Sequence, residues 1–162
     1  MSNDFYTSSI LPYAPIIIKI CRAYTDSQED YEDYYQEVCL QIWKSRDIFK
    51  GNSKWSTWIY RISLNVCLTL LKKKDRNQQL ASEEKIAAEP EEPHYFSDRS
   101  LLLLYEAIKK LSEVDRAVIL LYLEEKSYQE ISEIIGTSPN NIGVRITRIK
   151  KRLKKLLDGK FD

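Results

Sequence analysis

Glycine and histidine are scarce in this 162-residue chain, with four of the first and one of the second. So few glycines, and no phosphate-cradling glycine loop among them, exclude the usual nucleotide-cradling motifs. The lone His94 has no nearby Cys or second His, which removes it as a catalytic base or metal ligand and excludes a HExxH site. No Ser/His/acid set and no convincing general acid pair is present, so no reaction is assigned to the chain. Cys21, Cys39 and Cys67 lie too far apart for a paired metal motif and fall in apolar helical patterns, as reduced core cysteines do. No apolar run approaches the roughly 18 residues of a membrane span, and no basic region followed by an apolar core opens the chain. A cytoplasmic protein with no membrane insertion, no metal and no cofactor is expected.

What is present is strongly patterned. The formal charge of +1 hides a division: residues 81–98 hold six acids and one lysine, whereas residues 145–155 hold seven basic residues and no acid. No stretch alternates apolar and polar residues for long, so the chain reads as all-α. A first helix after Pro12 carries Ile16, Ile17, Ile20 and Tyr24. A second follows Ser27 and carries Tyr31, Tyr34, Val38 and Ile42, with acids at its start, where exposed amides favour them. After FKGNSK, a third has Trp55, Trp58, Ile59, Ile62, Val66 and Leu70 at steps of three or four, which predicts one apolar stripe. The charged, proline-containing stretch that follows reads as a solvated linker. The expected architecture is two small helical domains, residues 1–75 and 98–162, joined by an acidic flexible linker at 76–97.

The second half opens with a helix through LLLLYEAIKKL. Ser112 with Asp115, and Ser127 with Glu130, each have the spacing of a reciprocal helix cap. Tyr128, Ile131, Ile134 and Ile135 predict the buried side of a short helix that Gly136 ends, and Ser138 with Pro139 starts the last one. There, Ile142, Ile146, Ile149, Leu153 and Leu156 share a face, while Arg145, Arg148, Lys151 and Arg152 lie largely away from it. A short helix, a glycine turn and a basic helix make a helix-turn-helix, which implies DNA reading. Arg148 and Lys151 are expected at phosphates, and Asn140, Asn141 and Arg145 nearer to bases. Basic amphipathic helices also serve RNA, membrane surfaces and partner grooves, and the capped glycine turn argues against those uses.

In SKWSTWIYRISLN, interleaved aromatic and basic groups suit stacking on unpaired bases. Trp58 reads as core, Trp55 fits either role, Tyr60 with Lys54 is expected exposed, and Asn65 caps a loop or meets a base. Asp30, Asp33 and Glu37 share a side of the second helix, with no second cluster to complete a metal site. They read as a solvated face or as a docking surface for a basic partner.

The paired segments YEDYYQEVCLQIWK with FKGNSKWSTWIYRISLNVCLTLLKKK, and LSEVDRAVILLYLEEKSYQEISEIIGTSPNNIGVRITRIKKRLKKLL, resemble the extracytoplasmic-function group of bacterial sigma-70-type RNA polymerase initiation factors. The resemblance covers nearly all of the chain but the linker and a few terminal residues. It implies a subunit that binds core RNA polymerase, recognises two elements of promoter DNA and helps open the duplex, with an anti-sigma factor as a further partner. It puts Asp33, Gln36, Glu37, Leu40 and Trp43 where the family docks on polymerase. It puts Phe49, Lys50, Gly51, Asn52 and Ser53, then Lys54, Trp55, Trp58, Tyr60, Arg61 and Asn65, where it captures the minus-ten element. Ser138, Asn140, Asn141, Arg145, Arg148, Lys151 and Arg152 fall where it reads the minus-thirty-five element. Leu64, Thr69, Gly143 and Val144 depart from the family's usual residues. Against this stand a DNA-binding regulator that uses only its second half, and a protein whose two halves both bind partners.

Overall fold

The computed structural model describes residues 3–80 and 98–160, apart from the side chain of Leu80, and its described residues are helical throughout with short connections. Most of the expected linker, including His94 and the acidic stretch, lies outside them. A short helix α1 (Asn3–Phe5) leads through a wide turn (Tyr6–Ile10) and a tight one (Leu11–Tyr13) into α2 (Ala14–Ala23). Then come α3 (Gln28–Ser45), α4 (Trp55–Leu80), α5 (Arg99–Lys109), α6 (Glu113–Leu123), α7 (Tyr128–Ile135) and α8 (Pro139–Leu157).

Local chemistry sets most boundaries. Ser27 accepts from the Asp30 amide at 3.1 Å and starts α3. Asp98 caps α5, and Ser138 accepts from the Asn141 amide at 3.2 Å to start α8, with Pro139 in its first turn. Gly136 closes α7 at φ 88°, a left-handed conformation open to glycine without strain. Of the two expected reciprocal caps, only one forms in full. Ser127 Oγ accepts from the Glu130 amide at 3.1 Å while Glu130 Oε1 accepts from the Ser127 amide at 3.3 Å. Ser112 accepts from the Asp115 amide, but the Asp115 carboxylate instead takes a hydrogen bond from Arg145 at 3.0 Å.

Helices α2, α3 and α4 pack together, as do α5 to α8, yet the core does not stop between the halves. Helix α2 also packs on α5 and α6, and α4 touches α7, so one buried apolar cluster runs from Ile10 to Leu153. The three cysteines are buried in it as free thiols, with the Cys21 and Cys67 sulfurs 3.9 Å apart. Burial pushes the Cys39 thiol up to about 11.

The structure corrects three expectations. The buried positions of α4 are Thr57, Ile59, Tyr60, Ser63, Leu64 and Cys67, so the Trp55, Trp58, Ile62, Val66 and Leu70 stripe is only half covered. Helix α4 is gripped by α2 and α3 and then by α7, which shifts its buried sector around the axis from the one that its apolar periodicity marks. Tyr128 is 43% exposed, its ring lying against Gly143 rather than in the core. Helix α4 also continues through Leu80, so residues 76–80, expected to begin the linker, are helical.

The complete cap carries a pH signature. Hydrogen bonds from the Ser127 amide and hydroxyl hold the Glu130 carboxyl below the usual carboxylate range. A group depressed in the folded state adds stability that is fully present above its unfolded pKa and lost as pH falls through the folded one. Ser127→Ala should cost about 1 kcal/mol in urea denaturation. The stability gap between wild type and Glu130→Ala should close in acid; a gap that held constant would show that the charge takes no part in the cap.

Candidate nucleic-acid interface

The connection between α3 and α4 bends back on itself, with Gly51 at φ 75°. It lays Phe49 against two tryptophans of α4: ring centroids are 5.1 Å apart for Phe49 and Trp55, and 5.5 Å for Phe49 and Trp58. Trp55 is fixed from behind, since its indole N–H donates to the Ser9 carbonyl at 2.8 Å, and Phe5 stands between it and Trp43. Beside this aromatic run opens a cleft of about 780 Å³. Phe49, Trp58 and Thr57 line it together with Lys50, Asn52, Ser53, Lys54 and Arg61. The Trp58 indole nitrogen is buried without an acceptor.

Of the residues singled out at this element, the structure brings together Phe49, Lys50, Asn52, Ser53, Lys54, Trp58 and Arg61. It does not bring Gly51, Trp55, Tyr60 or Asn65 into the cleft lining. Tyr60 is 7% exposed and packs inward beneath the Lys126 ammonium, 5.1 Å from the ring centroid. Asn65 is exposed in a separate groove between α3 and α4 that Glu37, Gln41, Ile62 and Val66 also line. Trp58, read as core, is a half-buried wall of the cleft. Ile48, Glu130 and Glu133 complete the lining; the two acids arrive from α7 in the other half, a contact that no pattern local to α4 signals.

On α3, Asp33, Gln36 and Leu40 are exposed along one face with Glu37 half-covered beside them. Trp43 lies at the end of that face, with the Arg46 guanidinium 3.6 Å over its ring. Asp30, which shares their spacing, instead pairs with Lys74 at 2.7 Å and ties α3 to α4. Among the described residues no group of acids, histidines and cysteines is placed to hold a metal ion.

On α8 the expected stripe holds Ile142, Ile146, Ile149 and Leu153 inside, with Leu156 only half-buried at its end. The basic residues divide. Arg145 turns sideways to Asp115, Arg152 donates to the Lys110 carbonyl at 3.1 Å, and Asn141 donates to Thr137 Oγ1 at 3.0 Å. On the other flank Lys150 donates to the Tyr122 hydroxyl at 2.6 Å, which raises the Lys150 pKa. Asn140, Arg148 and Lys151 remain exposed on the outward ridge, with Ser138 occupied as the cap. A Cβ on Gly143 would meet the Tyr128 ring at 3.3 Å, so a larger residue there requires that partly exposed ring to shift.

The two halves match two parts of one family. Residues 10–77 match the family model described as Sigma-70 region 2, and residues 101–153 match Sigma-70, region 4. The chain belongs to the sigma-70 family, in its extracytoplasmic-function group. Among its relatives, the ECF RNA polymerase sigma factor SigW of Bacillus subtilis (strain 168) is 26% identical over 168 residues, covering 96% of this chain and 90% of that protein. The ECF RNA polymerase sigma factor SigG of Mycobacterium tuberculosis (strain CDC 1551 / Oshkosh) is 28% identical across 88% of this chain, which spans 46% of SigG. In fold, the chain is similar to the sigma factor RpoE solved with the anti-sigma factor NepR from Bartonella quintana, with a TM-score of 0.79 and 23% identity over 98% of this chain and 99% of that one. This sigma factor thus directs RNA polymerase to promoters and is not itself an enzyme. A match in both halves leaves no room for the regulator that reads DNA with its second half alone. Among the described residues no helix is long and apolar enough to cross a membrane.

In this sigma factor the halves are latched by polar contacts around the shared core. Arg61 donates to the Glu133 carbonyl at 2.6 Å, Tyr24 to the Glu113 carbonyl at 2.6 Å, and Arg116 to the Ala23 carbonyl at 3.3 Å; Lys19 pairs with Glu124 and Lys109 with Asp26. Tyr24→Phe with Arg61→Ala removes two of these bonds at about 1 kcal/mol each while keeping the Tyr24 ring in place. Small-angle scattering should report a larger radius of gyration for the double variant. An unchanged profile would show that these two bonds are not needed to hold the halves together.

Proposed function

We propose that this sigma factor docks core RNA polymerase on the outward face of α3, through Asp33, Gln36, Glu37, Leu40 and Trp43. It then holds an unpaired base of the minus-ten element in the cleft between residues 49–54 and α4, and reads the minus-thirty-five element with α8. The observation that carries this reading is the cleft itself: Phe49 and Trp58 offer aromatic faces beside Lys50 and Lys54. Stacking on such a face is worth about 1–3 kcal/mol per base. That recovers part of the cost of unpairing, which is how a protein that performs no chemistry assists opening. The buried Trp58 indole N–H, unmet in the closed chain, gains an acceptor as the loop rearranges around a base. Leu64 and Thr69 alter the expected detail of this surface rather than its chemistry, since Leu64 is buried and Thr69 lies in the groove beside Asn65.

Occupying both elements requires the halves to part, because Glu130 and Glu133 of the reading half stand in the cleft of the melting half. Two carboxylates there repel the phosphates that Lys50 and Lys54 attract. An anti-sigma partner, as NepR is to the Bartonella sigma factor, would act by stabilising a closed arrangement in the cytoplasm.

Run-off transcription of fragmented DNA from the source organism, with and without this chain added to core polymerase, should give new starts that share two upstream elements. No new starts with an active core enzyme would overturn the reading. Trp58→Ala should slow open-complex formation on duplex promoters and recover most of the loss when the minus-ten region is supplied unpaired; an equal defect on both templates would remove Trp58 from melting. Lys151→Ala should weaken binding to all promoters alike and lower the salt slope by roughly one; a promoter-selective loss with an unchanged slope would remove it from phosphate.

A further inference from the structure

Val144 is 66% exposed, more than any other large apolar residue among those described; Ile48 follows at 63%. A single exposed valine is ordinary on a protein surface, but its position on α8 is not. At about 3.6 residues per turn, Val144 points directly away from the mean direction of Ile142, Ile146 and Ile149. Asn140 stands one turn before it and Arg148 one turn after, both exposed. The flanks of the helix are drawn back onto the domain, by Arg145 to Asp115 and Arg152 to Lys110 on one side and by Lys150 to Tyr122 on the other. The groups best placed to enter a groove are therefore those of the outward ridge, and Val144 lies at its middle.

Valine gains nothing structural here. It packs on no core, and a β-branched residue forms helix less readily than alanine. In its neighbour Thr147, the hydroxyl is spent on the Gly143 carbonyl at 3.1 Å, so the two side chains offer methyl groups outward between an amide and a guanidinium. In the major groove, the base edge that an apolar side chain recognises is the 5-methyl group of thymine.

We propose that Val144 is a specificity residue of this sigma factor, its methyl groups meeting the 5-methyl of one thymine in the minus-thirty-five element. This rests on α8 reading that element, and the test separates the two claims. Holoenzyme is assembled from core polymerase and the full chain on a promoter found by run-off, and each thymine of the element, on either strand, is replaced in turn by deoxyuridine, which deletes only the methyl. Wild type should lose about fourfold in promoter affinity at one position, the factor expected for returning one methyl to water. Val144→Ala and Val144→Ser should bind the thymine promoter with that reduced affinity and no longer distinguish it from its deoxyuridine form. Their thermal unfolding should match wild type. No discrimination by wild type at any position, an element without an A·T pair, or discrimination retained by both variants would each overturn the role of Val144. Failure of wild type to start at any promoter would instead overturn the initiation reading itself, and this inference with it.

Discussion

Helix α2 is the element that both halves share, and the junction at its C-terminal end holds the arrangement together. Tyr24 caps α2 and sends its hydroxyl to the backbone of α6, while the Arg116 guanidinium returns from α6 to the Ala23 carbonyl. Arg116 also takes the Leu111 carbonyl at 3.1 Å and the Lys109 carbonyl at 2.6 Å. One planar cation thus serves orphan carbonyls from the end of α5, from the turn that follows it and from the end of α2. Those carbonyls have no intrahelical donor, so a strong donor with several N–H groups is what the junction requires. The direction in which α6 leaves α5, and hence where α7 and α8 sit, depends on this contact.

From that junction, charge placement decides which surfaces remain available. An arginine or lysine near a carbonyl, hydroxyl or carboxylate of its own chain is partly spent before DNA arrives. Arg145 and Arg152 are spent in this way on α8, and Arg61 on α4. The result is a narrower outward ridge of free cations than the count of basic residues suggests; if α8 reads DNA as proposed, that ridge is also the more selective, because point charges attract any phosphate whereas amide and methyl groups can discriminate among bases.

Local features were legible in the sequence. Ser27, Ser127, Ser138 and Gly136 fix helix ends through neighbours within four residues, and the Ile142, Ile146, Ile149 and Leu153 stripe sets the inner face of α8 because one side of that helix meets the rest of its domain. What the sequence hid depended on partners far along the chain. Arg145 finds Asp115 thirty positions away, which spoils the second reciprocal cap and withdraws a residue expected at the bases in a single contact. The stripe on α4 was misplaced for a related reason: periodicity assumes one packing partner, and α4 has three. Tyr60 is met from the other half, where the Lys126 ammonium just before α7 lies over its ring.

The same dependence on distant contacts sets the energetics of the closed state. Its ion pairs are largely solvated; the side chains of Lys19 and Glu124 remain 48% and 24% exposed, and pairs of that kind contribute about 0–1 kcal/mol. The hydrogen bonds to backbone carbonyls contribute about 1 kcal/mol each, more where the donor is charged. The apolar contact of α2 with α5 and α6 supplies the rest, and it is non-directional. A closed state assembled from several small terms can be overcome by a partner without disturbing either half, provided the partner binds the parted arrangement more tightly than the closed one. In the proposed function, polymerase and a two-element promoter meet that condition together, by binding the arrangement in which Glu130 and Glu133 have left the cleft. The proposed anti-sigma partner would meet the opposite condition by adding contacts across the junction. Modest contacts between halves with independent caps and stripes therefore suit the proposed cycle, in which the factor is held in one arrangement and used in another.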